Sequence, residues 1–391
     1  MLSTVLRVIC LTVAFQMATI TVRVTCSLDG LFHDATALEV GLMMALFAFI
    51  PALFSIKIGQ FVDRVGAKIP IFIGILLTVI AVSIPQLFHP NTFGLLPLYV
   101  SNAFNGLGMI FTVLTCQQLI GHVSNAKNRT NNFAILAMGY SSASLLAPII
   151  SGWFIDHIGH QSAYQFGLAS IGTGFFFYLL FQSVIPSSWN TPRRSKKSSS
   201  WELFKIPHVR NVLIASSFMS MAWDLQSFMI PVYGTAIGLS ASQVGWLLGA
   251  FSGATFFVRL LMPMISKRIN EWQIIAGAFG FGTLSYCLFP LFENFVILMV
   301  VTFILGMALG ASQPNVMSLL HTETPAGRTG EAIGLRTMLI NVCHTILPLV
   351  FGAAGAAIGA GAVFYVVSAL MGGVTVFTSK CQKKSQEVLE N

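Results

Sequence analysis

Long apolar segments, separated by short polar connections, constrain the fold of this 391-residue chain more than any other feature. Charged residues make up only 9% of the sequence, which leaves too little polar surface to coat a water-soluble protein. A helix needs about 20 mostly apolar residues to cross a bilayer. The sequence therefore predicts an all-α membrane protein with twelve transmembrane helices. The predicted spans are 5–27, 38–57, 69–88, 95–120, 131–155, 162–185, 209–234, 242–264, 272–290, 295–319, 332–355 and 358–379.

The basic residues predict how the chain lies in the membrane. When both termini are placed in the cytoplasm, every lysine and arginine except Arg23 falls at or near the cytoplasmic side. Cytoplasmic loops normally hold the excess of basic residues. The net charge of +8 then reports orientation, and no nucleic-acid partner is needed to explain it. We expect a multi-pass protein of the cytoplasmic (inner) membrane, surrounded by the lipid bilayer.

An internal repeat predicts two similar halves. The pair Val40-Gly41 recurs 204 residues later, and Gly106, Pro148 and Gly152 recur 200 residues later. A near-constant offset that carries matched proline and glycine residues indicates two related groups of helices.

The polar segment 187–208 separates these halves. It contains a run of basic residues and few apolar ones, which predicts a flexible cytoplasmic linker. We therefore expect two pseudo-symmetric six-helix bundles, at 1–186 and 209–391.

The connection between the second and third predicted spans carries a recognisable motif. Residues 59–68 read GQFVDRVGAK. This segment resembles the signature cytoplasmic loop of the major facilitator superfamily, roughly G-x-x-x-D-R-x-G-x-K/R. The residues on family positions are Gly59, Asp63, Arg64, Gly66 and Lys68. Ala67 departs from the pattern, because the family usually has a basic residue there. The resemblance implies a monomeric secondary transporter that moves a small-molecule substrate by alternating access between two bundles.

We interpret this loop as part of a cytoplasmic gate. Asp63 is expected at the N-terminus of the eleventh predicted span, where the helix dipole favours an anion. Arg64 and Lys68 are expected to pair with acids at neighbouring helix ends, and Glu331 and Arg336 lie at the start of the eleventh span. The alternative is a loop that is basic only for orientation, but an acid adds nothing to orientation, which favours the gate. Gly59 is expected to let helices approach closely.

Charges inside predicted spans are costly in lipid and therefore indicate function. Asp224 lies past the middle of the seventh span and Arg23 lies deep in the first. We expect them to approach one another, with Asp224 as a proton-coupling residue because desolvation favours the protonated form of a carboxyl group. His344 is a second coupling candidate, since imidazole titrates near neutral pH. The alternatives are that Arg23 only snorkels to the surface and that His344 only joins helices.

Further polar residues of the spans are predicted to line a substrate cavity. These candidates are Arg23, Gln16, Asn105, Gln117, Trp223, Gln226 and Asn341.

No enzyme motif occurs in the sequence. Walker A, G-x-S-x-G and H-E-x-x-H patterns are absent, and the six cysteines are scattered without a metal-site spacing. We expect no enzyme activity, no cofactor and no metal.

Two hypotheses of function remain. The first is proton-coupled transport of a small organic solute, either as an importer of organic anions or as a drug-type exporter. Ala147-Pro148 and Gly152 resemble the helix-5 motif of drug:proton antiporters, without its fuller glycine pattern. The second is a non-transporting membrane receptor or assembly factor built on the same fold.

Overall fold

All regular secondary structure in the described part of the chain is helical. The computed structural model describes residues 2–123, 129–182, 200–265, 268–325 and 329–390. The α-helices are α1 (Leu2–Phe32), α2 (Ala37–Val65), α3 (Lys68–Leu87), α4 (Pro90–Phe93), α5 (Leu96–Val123), α6 (Arg129–His157), α7 (His160–Phe181), α8 (Pro207–Ala236), α9 (Ala241–Ile265), α10 (Glu271–Leu288), α11 (Phe295–Glu323), α12 (Thr329–Ile358) and α13 (Ala360–Glu390). Short 3₁₀ helices lie at Ser200–Lys205 and Phe289–Leu291.

Eleven of the described helices are long and apolar enough to cross a membrane. The remaining long helix is α8, whose 30 residues would span about 45 Å. It includes Asp224 and Gln226, which lower its hydropathy, but both are buried within the protein. Polar side chains that are covered by neighbouring helices do not face lipid, so they are compatible with a membrane-spanning helix. The predicted all-α fold with twelve membrane helices is therefore confirmed.

The chain forms two compact units, residues 1–194 with 238–249, and residues 195–237 with 250–391. In the first unit, α1 packs against α5, α6 and α7, and α3 packs against α5 and α7. In the second, α8 packs against α11, α12 and α13, and α10 packs against α11 and α13. Each of these five pairings in the first unit has its counterpart in the second, as the repeat predicted.

Matched glycines bring matched helices together. In the first unit, a Cβ atom at Gly106 of α5 would overlap the carbonyl oxygen of Phe47 on α2. In the second, a Cβ atom at Gly306 of α11 would overlap the carbonyl oxygen of Phe251 on α9. Small residues allow such close backbone approach, which is how helices associate in lipid.

The predicted linker is ordered at its C-terminal end. Residues 183–199 lie outside the described residues, but Ser200–Lys205 forms a 3₁₀ helix that packs on α8 and α12. Leu203 in this helix is fully buried. Leu203 therefore contributes an apolar contact that attaches the end of the polar segment to the second unit.

Candidate transport site

Asp224 and His344 form a pair between α8 and α12 in the second unit. Nδ1 of His344 hydrogen-bonds to Oδ1 of Asp224, and Nδ1 is the donor because a carboxylate oxygen can only accept. The Asp224 side chain is 4% exposed and that of His344 is 35% exposed. The second carboxylate oxygen, Oδ2, is buried and has no hydrogen-bond partner among the described residues. The site therefore holds a buried carboxylate with one oxygen engaged and one available.

A second polar contact lies on the same two helices. Nε of Arg336 donates to Oγ of Ser216 at 2.7 Å. Ser216 and Arg336 each precede the Asp224–His344 pair by eight residues, or about 12 Å along a helix. The two contacts show that α8 and α12 run parallel in constant register. They place a cationic and an acidic side chain along one polar stripe of the second unit.

Aromatic side chains surround this stripe. The Tyr286 hydroxyl donates to the carbonyl oxygen of Ala222, two residues before Asp224. Trp223 packs edge-on against Phe251, with ring centroids 4.9 Å apart. Among the predicted cavity residues of this unit, Gln226 is buried and accepts a hydrogen bond from Ser227, at 3.2 Å. Asn341, another of these, lies one turn before Thr345, whose hydroxyl donates to the Asn341 carbonyl.

Arg23 lies in the first unit, between α1 and α2. Its Nε atom donates to the sulfur of Met44 at 3.1 Å, and its guanidinium lies 5.1 Å from the ring centroid of Phe47. A cation over an aromatic face is favourable, so this position stabilises a charge within the span. The predicted pairing of Arg23 with Asp224 would join the two units and stays a prediction.

The other cavity candidates of the first unit differ in burial. Asn105 is fully buried and donates through Nδ2 to the carbonyl oxygen of Thr19 at 3.0 Å. Its Oδ1 and the Oε1 of Gln16 are buried without a partner among the described residues. Gln117 is exposed. Asn105 and Gln16 thus carry unused hydrogen-bonding capacity inside the first bundle.

A cluster around Asp29 was missed by the sequence analysis, whose first predicted span ends at residue 27. The first helix continues to Phe32 rather than ending at 27, and Asp29 is only 4% exposed. The Tyr164 hydroxyl donates to Oδ2 of Asp29 at 3.0 Å, and Nδ1 of His33 lies 3.2 Å from Oδ1. The spacing of four residues between Asp29 and His33 was the available signal, since such residues meet on a helix.

The pKa of His33 is raised by this cluster. Burial lowers the pKa of His33, but hydrogen bonds to the Asp29 carbonyl and to Asn91, together with the charge of Asp29, raise it by more. The Nε2 atom of His33 lies 2.7 Å from Oδ1 of Asn91. His33 therefore links the end of α1 to α4. Among the described residues, no group of three or more His, Cys, Asp or Glu is placed to hold a metal ion.

Comparison with known proteins decides the family. The sequence model of the Major Facilitator Superfamily matches residues 8–348 and 212–383. The chain belongs to the major facilitator superfamily. This confirms the resemblance of the loop at residues 59–68, and it means that the chain is a membrane transporter and not an enzyme.

The transporter has similar proteins in distant organisms. Quinolone resistance protein NorA of Staphylococcus aureus is 22% identical over 335 residues, covering 81% of this chain and 81% of NorA. An uncharacterised MFS-type transporter of Methanocaldococcus jannaschii is 22% identical over 329 residues, covering 81% and 82%. The crystal structure of peptide transporter POT in complex with sulfate has a TM-score of 0.78 and 13% identity, covering 96% of this chain and 94% of that chain. At that identity the structural likeness shows the fold alone.

In this transporter the signature loop is described only in part. The side chains of Asp63, Arg64 and Glu331 lie outside the described residues, so their pairing stays a prediction. Gly66 ends α2 with φ of 76°, a left-handed conformation that glycine adopts without strain. A Cβ atom at Gly59 would meet nothing within 4 Å among the described residues, which gives no steric reason for a glycine there.

The remaining gate candidates lie at helix ends. Lys68 is the first residue of α3. The preceding residue, Ala67, is fully buried, so the basic residue that the family usually has there would meet packed surroundings here. Arg336 bonds to Ser216, as described above, and this neutral contact was not expected from the sequence.

Proposed function

We propose that this transporter carries out proton-coupled secondary active transport of a small organic solute by alternating access, with the Asp224–His344 pair as its proton-binding site. The single observation that carries the proposal is the buried Asp224 carboxylate, which has one oxygen on His344 and one unpartnered oxygen. An ionisable residue inside a membrane bundle is expensive to keep and indicates a proton or substrate pathway.

The pair has two states that differ in charge. With Asp224 ionised and His344 protonated, the two side chains form an ion pair that compensates the buried charge. When Asp224 takes a proton, its side chain becomes neutral and its electrostatic attraction to His344 weakens. A ligand shifts a conformational equilibrium only through its different affinity for the two states. A proton at Asp224 meets this condition, because it changes the contact that joins α8 to α12.

Drug-type export is the direction that the relatives favour. NorA, whose name describes quinolone resistance, covers most of this chain. The motif at Ala147, Pro148 and Gly152 points the same way. We infer that the solute is an aromatic organic compound exchanged for protons, and the competing proposal is uptake of an organic anion.

The remaining parts of the proposal concern placement. The transporter lies in the cytoplasmic membrane with both termini in the cytoplasm, supported by the distribution of basic residues. It works as a monomer whose six-helix bundles, 1–186 and 209–391, are joined by the linker 187–208. The loop at residues 59–68 acts with Glu331 and Arg336 as the cytoplasmic gate.

Transport in proteoliposomes tests the coupling. Purified protein is reconstituted into vesicles with an imposed pH gradient, and the movement of norfloxacin and ethidium is followed by fluorescence. We expect gradient-driven transport that is lost in Asp224→Asn and reduced in His344→Gln. Glu293→Gln is the matched control, because Glu293 is an exposed carboxylate of the same unit. Full, pH-independent transport by Asp224→Asn would end the coupling proposal.

A separate variant tests the gate. Asp63→Asn removes the acid of the loop and keeps its shape, and we expect slower transport with an unchanged pH dependence. If Asp63→Asn transports at the wild-type rate, the loop serves only orientation.

A further inference from the structure

The helix α9 belongs to both units. Its first residues, up to Gly249, pack in the first unit, and its remainder from Ala250 packs in the second. Within the first unit this N-terminal part lies backbone to backbone against α6. A Cβ atom at Gly152 would overlap the carbonyl oxygen of Ala241, and one at Gly245 would overlap that of Pro148. This contact between α6 and the start of α9 is the seam, and α9 can move away from α6 only if the seam separates.

The N-terminus of α9 is capped from two sources. A helix begins with four backbone amides that lack partners within it. Ser240 and Gln243 cap each other, with the Ser240 amide donating to Oε1 of Gln243 at 2.9 Å and the Gln243 amide donating to the Ser240 hydroxyl at 3.3 Å. The other two amides donate to Asp156 of α6. Ala241 N lies 2.9 Å from Oδ1 and Ser242 N lies 2.7 Å from Oδ2.

The repeat allows the N-terminus of α9 to be compared with that of α2. The corresponding helix of the first unit is α2, where Thr36 and Glu39 form the same reciprocal cap 204 residues earlier. Glu39 gives the N-terminus of α2 a negative charge from its own helix, which the helix dipole favours. In α9 the neutral Gln243 replaces that acid. The negative charge is supplied instead by Asp156, from another helix.

The repeat has no second acid at the position of Asp156. Residue 356 on α12 lies 200 positions after Asp156, and it is an alanine. The second unit therefore offers no carboxylate at the equivalent helix end. The seam between α6 and α9 combines close glycine contacts with a charged cap.

We propose that Asp156 is a latch that holds the start of α9 to the end of α6, and that its release is a step of the transport cycle. The inference rests on the proposed alternating access, because only a moving α9 needs a latch. Release removes a carboxylate from two amides at the positive end of a helix. Loss of such a cap changes an equilibrium about 2- to 30-fold.

Cysteine labelling tests the latch without any substrate. Ile149 packs on Gly249 in the seam, so Ile149→Cys, in a background with all six native cysteines replaced by serine, reports seam opening. The protein is held in nanodiscs and reacted with a water-soluble maleimide. We expect Asp156→Asn and Asp156→Ala to raise the labelling rate about 2- to 30-fold. Glu39→Gln is the matched control, because Glu39 caps only its own helix, and its labelling rate is expected to match the parent.

A cross-link separates this proposal from proton coupling. A disulfide between Asp156→Cys and Ser242→Cys is expected to close the seam permanently and stop transport, with recovery on reduction. Labelling at the parent rate in both Asp156 variants, or full transport by the cross-linked protein, would overturn the latch. The labelling experiment needs neither solute nor pH gradient. Its result therefore tests the latch even if Asp224 proves not to carry a proton.

Discussion

Adding one methyl group at Gly106 or Gly306 should destabilise this transporter, whereas the same change at an exposed glycine should not. At Gly106 the new Cβ would overlap the Phe47 carbonyl oxygen and lie 2.8 Å from its carbon. At Gly306 it would overlap the Phe251 carbonyl oxygen and lie 2.9 Å from the Cβ of Ala254. In each case the obstacle includes backbone, which cannot rotate away, so two helices must move apart.

The magnitude follows from packing energetics. Overpacking a close-packed site costs about 1–3 kcal/mol, and we expect the upper end because the obstacle is backbone. Gly172 on α7 and Gly373 on α13 are exposed, and a Cβ atom there would meet nothing within 4 Å among the described residues. Alanine is favoured over glycine within a helix by about 1 kcal/mol, so these controls should be stabilised. The two classes should therefore differ by about 4 kcal/mol.

Thermal unfolding of the detergent-solubilised protein measures this difference. For units of this size, 1 kcal/mol shifts Tm by about 2–4 °C. We expect Gly106→Ala and Gly306→Ala to lower the apparent Tm by about 6–12 °C, and Gly172→Ala and Gly373→Ala to raise it by about 2–4 °C. A contact variant that melts at or above the wild-type temperature would refute the close approach of the paired helices.

Three further predictions concern polar contacts. His33→Gln should destabilise the protein more at pH 5.5 than at pH 8.5. The pKa of His33 is raised in the folded protein. The stabilisation that protonated His33 provides is therefore complete below the unfolded pKa of about 6.5 and is lost as the pH rises through the folded pKa. Equal losses of apparent Tm at both pH values would contradict this. Tyr164→Phe removes a donor from the buried Asp29 carboxylate, so it should cost about 1.5–3 kcal/mol, and an unchanged Tm would show that the bond contributes nothing. His344→Ala leaves Asp224 buried and unpaired, at a cost of about 3–5 kcal/mol that the double variant with Asp224→Asn should largely recover, as a double-mutant cycle would measure.

The sequence alone determined the membrane fold, the repeat and the family. Apolar runs predict membrane-spanning helices because the length and composition that a helix needs to cross lipid are properties of one continuous segment. The loop at residues 59–68 indicated the family because its motif is contiguous. Asp224 and His344 were identified as functional candidates for the same reason, since an ionisable residue within an apolar run is conspicuous.

Only the tertiary structure shows which residues the buried polar side chains contact. His344 meets Asp224 across 120 residues of sequence, and Asp156 caps a helix that begins 85 residues later. Asp29 lies beyond the end of the first predicted span, at residue 27, yet it is buried and contacts Tyr164 and His33. The local sequence indicates what a side chain requires, such as burial or a hydrogen-bond partner. Which residue meets that requirement depends on helix packing, which no local pattern contains.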